Sequence, residues 1–177
     1  KALTANQNVK LLAKQAKFHR PELLVIGNKE QYSDLIKELD GFPVRVEAGY
    51  EGLIEAADLD TDLVMASIVG TAGLLPTMRA AKRGATIALA NKECLVCAGS
   101  LLINEVENSG GVLIPVDSEH NAIFQVFDFD QTRAVQNLIL TTSGGPFREK
   151  TIKEMAKVKP REALEHPNWR MGPKITI

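Results

Sequence analysis

Asp117 and Glu119 stand two residues apart at the end of the apolar run Gly111–Val116. At the end of a strand, that spacing puts both side chains on one side. Two converging carboxylates suit a hard divalent cation such as Mg²⁺ or Mn²⁺, which takes oxygen ligands and leaves positions for water or substrate oxygens. The same two acids also fit a solvated surface turn. Ser118 and His120 make the cluster denser. Lys92, in Asn91-Lys92-Glu93, follows the apolar run Ala85–Ala90. There its ammonium would meet a phosphate or a carbonyl, or Asn91 would simply cap a helix. Ser143-Gly144-Gly145-Pro146 offers a hydroxyl and open backbone N–H groups for an anion, or only a turn. His166 precedes Pro167, which biases it to extended backbone in a loop. Trp169, the single tryptophan, lies among Pro, Asn and Gly residues. It suits a lid over a ligand as well as it suits a core.

The elements that must position these residues are legible in the periodicity. Val9, Leu12, Ala13 and Ala16 follow helical spacing, as do Tyr32, Leu35, Ile36 and Leu39. A third helix is expected over Ala72–Lys82, with Leu74, Leu75, Met78 and Ala81 as its apolar stripe and Gly84 as its terminator. A fourth is expected over Glu93–Asn108. Short apolar runs at Glu22–Gly27, Val44–Glu47, Asp62–Gly70, Ala85–Ala90 and Gly111–Val116 read as strands. Apolar strands alternating with amphipathic helices predict an α/β fold: a doubly wound, Rossmann-like parallel sheet. In such a sheet, ligands gather at the carboxyl ends of the strands. At one such end, Asn6, Gln7 and Asn8 occupy the place where NAD enzymes carry an acid for the ribose, so NADP is favoured over NAD.

After residue 111 the texture changes. A strand ending in Asp117–His120 is expected to give way to an irregular Phe-rich piece, then to a strand Leu138–Thr142, then to a charged helical segment. These features divide the chain into residues 1–110, a nucleotide-binding domain, and 111–177, the start of an α/β catalytic domain.

The chain of 177 residues is 45% hydrophobic and 24% charged, with a formal net charge of -1. That balance gives no field suited to nucleic acid, and no apolar stretch approaches the ~20 residues of a membrane span. Cys94 and Cys97 are the only cysteines. Without further ligands they make no zinc site, and in an apolar helical stretch they read as small hydrophobes. Scarce cysteine suits a reducing compartment. The opening residues lack the parts of a signal peptide and an initiating Met, so the chain is expected to begin inside a longer protein.

Taken in order, four blocks resemble one family: Ala88-Leu-Ala-Asn-Lys-Glu93, Pro115-Val-Asp-Ser-Glu-His-Asn-Ala-Ile-Phe-Gln125, Thr142-Ser-Gly-Gly-Pro-Phe-Arg148 and His166-Pro-Asn-Trp-Arg-Met-Gly172. They are similar to the signature segments of the 1-deoxy-D-xylulose 5-phosphate reductoisomerase family, as is Met65–Pro76. The resemblance implies a skeletal rearrangement of a phosphorylated sugar followed by reduction with NADPH, in the non-mevalonate route to isoprenoids. It implies that Asp117 and Glu119 are two of three carboxylate ligands of Mg²⁺ or Mn²⁺, with Lys92 and Glu119 acting catalytically. Lys92, Ser118, Glu119, Ser143, His166 and Trp169 would hold substrate, and Asn6, Gln7, Asn8, Asn91, Glu93 and Gly172 would contact NADPH. It further implies a cytoplasmic or plastid homodimer. The family's first strand with its Gly-rich phosphate loop, and its third metal-binding acid, are expected outside this chain. A different NADP-dependent dehydrogenase and a non-catalytic nucleotide-binding module are the competing readings.

Overall fold

The computed structural model describes residues 1–141 and 144–167. Two compact units emerge, Lys1–Gln125 and Val126–Ile177. In the first, six strands form two parallel three-stranded sheets. One sheet pairs β1 (Ala2–Ala5), β2 (Leu23–Ile26) and β3 (Arg45–Ala48) in that order. The other pairs β4 (Leu63–Ala66), β5 (Thr86–Leu89) and β6 (Val112–Pro115). Helices α1 (Val9–His19), α2 (Tyr32–Leu39), α3 (Gly49–Asp58), α4 (Leu74–Lys82) and α5 (Glu93–Ser109) make the crossovers, and α6 (Ser118–Val126) follows β6. This is the expected α/β architecture.

Each half-sheet has its own core. Leu24 and Ile26 of β2 pack with Leu12, Ala13 and Ala16 of α1 and with Leu35 and Leu39 of α2. Ile87 and Leu89 of β5 pack with Ala80 and Ala81 of α4 and with Cys94, Leu102 and Val106 of α5. All four residues of β2 are buried, as a strand covered on both faces requires. The halves are tied through α3 and α4. Arg79 donates to both carboxylate oxygens of Asp58, and the Arg83 Nε–H donates to the Ala57 carbonyl at 2.9 Å. Edge strands β1 and β4 flank a cleft of about 340 Å³ whose walls include Leu3, Leu63, Val64 and Ala66.

Several expectations need correction. Asp117–His120 does not end a strand: β6 stops at Pro115 and Ser118 already opens α6. The Asn121 side chain donates to the Pro115 carbonyl at 2.7 Å and its backbone N–H to the Asp117 carbonyl at 2.8 Å, which closes a helical turn there. Of the stripe expected on α4, Ala81 is buried and Leu74 and Met78 pack against the core, and only Leu75 departs from it. The buried residues of α4 are Pro76, Thr77, Ala80 and Ala81, while Leu75 is exposed. The helix starts at Leu74, preceded by a 3₁₀ turn over Thr71–Gly73. Helix α3 has no expectation behind it, and Gly52 in it packs against the sheet. A Cβ at Gly52 would lie 2.9 Å from Val25 Cγ1, so this helix approaches the strands more closely than a side chain allows. Gly84 does terminate α4, with a positive φ of 74°. β6 hydrogen-bonds β5, and the first compact unit runs to Gln125.

In the second unit, Leu138, Ile139 and Leu140 form no strand and are largely exposed. Helix α7 (Ile152–Met155) is held by a reciprocal cap between Thr151 and Glu154. A 3₁₀ turn follows at Pro160–Leu164, and Glu162 in it pairs with Lys150 at 2.9 Å. Among the described residues, no helix is long and apolar enough to cross a membrane.

Candidate active site at the carboxyl ends of the strands

The ends of β5 and β6 lie side by side, with Leu89 opposite Pro115. Beyond Leu89 the chain turns into α5 and beyond Pro115 into α6, so Lys92 and Asp117 flank one junction. Lys92 Nζ meets Asp117 Oδ2 at 2.8 Å, and His120 Nδ1 lies 3.3 Å from Asp117 Oδ1. The Asp117 side chain is 14% exposed, whereas Lys92 and His120 are about half exposed. One mostly buried carboxylate is thus engaged on both oxygens at the rim of the sheet.

The electrostatics follow from this geometry. The hydrogen bond from Lys92, then its charge, hold the Asp117 carboxyl below the usual aspartate range, against the opposing effect of burial. Glu119 approaches the same carboxyl and contributes in the same direction. Lys92 is pushed up in turn, first by its hydrogen bond to Asp117, with Asp117, Glu119 and Glu93 adding charge. Lys92 occupies the N-cap position of α5, where the helix dipole disfavours a cation. The neighbouring acids offset that. Asp117 directly precedes α6, where a carboxylate is favoured. The cluster therefore holds an ionised carboxylate and a charged ammonium side by side, suited to an oxygen-rich anionic ligand and a hard cation.

Glu119 lies in the first turn of α6, so the two acids converge through a helix start rather than through strand alternation. Ser118 is exposed beside them. Asn91 and Glu93 flank Lys92, and the Asn91 side chain is buried, 3% exposed. In the other half-sheet, Asn6, Gln7 and Asn8 are exposed at the end of β1. The Gly27 N–H donates to the Ala5 carbonyl at 2.8 Å and the Asn28 N–H to the Asn6 carbonyl at 2.9 Å, which seats that end beside the end of β2. Asn8 caps α1, its Oδ1 accepting from the Leu11 N–H at 3.2 Å. His166 belongs to the second unit and is half-buried. Ser143, Trp169 and Gly172 lie outside the described residues.

His120, which the sequence places in the cluster, is brought onto Asp117 itself. The signal for that contact is the i,i+3 spacing, which has meaning only once residues 118–126 are helical. Cys94 is buried and Cys97 exposed. Burial pushes the Cys94 thiol up, which keeps it protonated and unreactive. Among the described residues, no group of three or more His, Cys, Asp or Glu side chains could hold a metal.

Comparison with known proteins gives one answer throughout. Sequence models for 1-deoxy-D-xylulose 5-phosphate reductoisomerase and for its C-terminal domain match residues 1–99 and 113–177. A relative of that name from Rhizobium johnstonii is 57% identical over 175 residues, covering 99% of this chain and 44% of its own length. One from Rhodospirillum centenum is 54% identical over 176 residues, again 99% of this chain and 44% of the relative. The chain thus spans under half the length of these relatives. The solved structure of the Zymomonas mobilis reductoisomerase in complex with NADPH superposes with a TM-score of 0.87 at 49% identity, covering 94% of this chain and 44% of that one. A reductoisomerase in complex with NADPH, fosmidomycin and magnesium gives 0.86 at 39% identity, covering 97% of this chain and 45% of that one. A doubly wound sheet that brings Lys92 to Asp117, and profiles that match both parts of the sequence, lead to one assignment: the chain belongs to the 1-deoxy-D-xylulose 5-phosphate reductoisomerase family.

Proposed function

We propose that this protein catalyses the reaction of its family, the NADPH- and divalent-metal-dependent isomerisation and reduction of 1-deoxy-D-xylulose 5-phosphate to 2-C-methyl-D-erythritol 4-phosphate. The observation that supports it most is the Lys92–Asp117 pair at the junction of β5 and β6, with Glu119 adjoining. The donor set fits a hard cation. Asp117 is ionised at neutral pH and Glu119 supplies oxygen beside it, so both are the metal ligands in this reading. When bound, the divalent cation supplies Lewis-acid stabilisation of negative charge on substrate oxygens. Asp117 would then exchange its Lys92 and His120 partners for the metal and substrate.

Lys92 has a raised pKa and so stays charged at neutral pH. Its role is therefore that of a fixed cation orienting a substrate oxygen, and not that of a base. Glu119 and Ser118 reach the same ligand from α6. Asn6, Gln7 and Asn8 at the β1 edge, with Asn91, Glu93 and Gly172, form the NADPH contacts. On the family resemblance, Ser143, His166 and Trp169 would be further substrate-binding residues. In this reading the full-length protein is a cytoplasmic or plastid homodimer.

Calorimetric titration of Mn²⁺ into the full-length protein and its Asp117→Asn and Glu119→Gln variants tests the assignment. Each variant should bind the metal at least about tenfold more weakly. Unchanged affinity in both would remove the proposed metal site.

A further inference from the structure

Two polar residues are buried in the first unit, Thr77 and Asn91, each 3% exposed. They occupy the same place, the seam between the loop after β4 and the first turn of α5. The Asn91 amide is fully engaged there. Its Nδ2 donates to the Ile68 carbonyl and, at 2.8 Å, to the Gly70 carbonyl. Its Oδ1 accepts the Cys94 N–H at 2.8 Å. Both donors of the amide and one acceptor position are therefore satisfied by the protein itself. The Asn91 backbone N–H is also used, donating to the Ala66 carbonyl at 3.0 Å.

The other side of the seam is shaped to admit this amide. A Cβ at Gly73 would lie 2.7 Å from Asn91 Nδ2 and 2.6 Å from the Ile68 carbonyl oxygen. Gly73 has a negative φ of -79°, so it is needed for space and not for backbone freedom. Thr77 completes the arrangement, its hydroxyl donating to the Gly73 carbonyl at 2.7 Å while the Cys94 thiol lies 3.9 Å from its Oγ1. One buried amide thus joins residues 68–73 to the helix start that carries Lys92 and Glu93.

Resting on the reading that this sheet edge binds NADPH, we propose that Asn91 is a positioning residue. Its side chain fixes the 67–73 loop against the first turn of α5. Gly73 is the other half of the same device. The loop leaves Val69 82% exposed beyond the end of β4, at the same carboxyl edge of the sheet as Lys92.

The test uses the full-length protein with Asn91→Ser, Gly73→Ala and the double variant. Serine keeps an oxygen that can cap α5 but removes both donors to the loop. Alanine keeps the amide and displaces it. Amide hydrogen exchange of the unliganded proteins should rise across residues 67–73 in all three variants, by about tenfold or more. NADPH affinity, read by fluorescence titration, should fall about tenfold in each single variant and no further in the double one, because both break the same contact. The inference is overturned if Asn91→Ser weakens NADPH binding without raising exchange in the loop, or if the two losses multiply. Should the unaltered protein fail to bind NADPH, the reading of the edge as a cofactor site falls. The exchange comparison would still uphold or overturn the Asn91–Gly73 contact.

Discussion

The two halves of the first unit share a plan and differ in what they bring to the carboxyl edge. In the β1–β3 half, β2 is buried along its whole length, and the residues beyond β1 are uncharged amides, Asn6, Gln7 and Asn8. In the β4–β6 half, β5 alternates between buried and half-buried residues, and the chain beyond it carries Glu93 and Lys92, which meets Asp117. The first half is a rigid apolar support with neutral edge groups. The second concentrates charge where a helix start would disfavour a lone cation, and holds it with neighbouring acids. A fold that separates the duties this way can bind a large cofactor by shape and backbone on one side while doing charge chemistry on the other.

The largest test of this contrast is functional. In the full-length protein, Lys92→Met or Asp117→Asn should lower turnover with 1-deoxy-D-xylulose 5-phosphate by about 10²- to 10³-fold, as loss of a charge aimed at reacting oxygens does. Asn6→Ala, on the other side, should weaken NADPH binding by about tenfold at most and leave the kcat within a few fold. Comparable losses of kcat on both sides would erase the division.

A second test addresses the supports. Val25 is buried in the middle of β2, and Ala88, at the equivalent position of β5, is only partly so. Chemical denaturation should show Val25→Thr destabilising the protein by about 1–3 kcal/mol, the cost of a buried hydroxyl without a partner. Ala88→Ser should cost below about 0.5 kcal/mol. Equal losses would mean that the two half-sheets are covered alike.

The smallest effect is electrostatic. The folded pKa of Asp117 is lowered, so its contribution to stability is present above the unfolded aspartate value and is lost as pH falls through the folded one. The folded pKa of Lys92 is raised, so its contribution is present below the unfolded lysine value and is lost as pH rises through the folded one. With the Lys92 side chain 48% exposed, the pair contributes at most about 1 kcal/mol. Carbon NMR should find the Asp117 carboxyl titrating below the ordinary value of about 3.9 and moving up toward it in Lys92→Met. An unmoved midpoint would show that the ion pair is not what holds it down.

Much of this was legible along the chain. The helical spacing of Val9, Leu12, Ala13 and Ala16 predicts α1, and Leu12, Ala13 and Ala16 are its buried face. Five apolar runs coincide with β2 to β6. What escaped detection has physical causes. Helix α3 has helical spacing in Tyr50, Leu53, Ile54 and Ala57, but Gly49 and Gly52 lower its helix propensity and mask that signal. Residues 118–126 mix polar and apolar types without a buried face, so their helix has no periodic signal. Leu138–Leu140 look like a strand but have no partner among the described residues, and strand propensity by itself does not make a ladder.

By itself the sequence determined the succession of apolar strands and amphipathic helices, and with it the parallel α/β class, because burial on two faces writes continuous apolar runs. It also determined the motif blocks that mark the family. Only the tertiary structure decided that Lys92 and Asp117, far apart in the chain, share one ion pair, because adjacent parallel strands end side by side. It alone decided that Asn91 faces inward. Nothing in a tripeptide distinguishes an amide that reads a ligand from one whose donors are consumed by carbonyls beyond the neighbouring strand, since that depends on what packs against it.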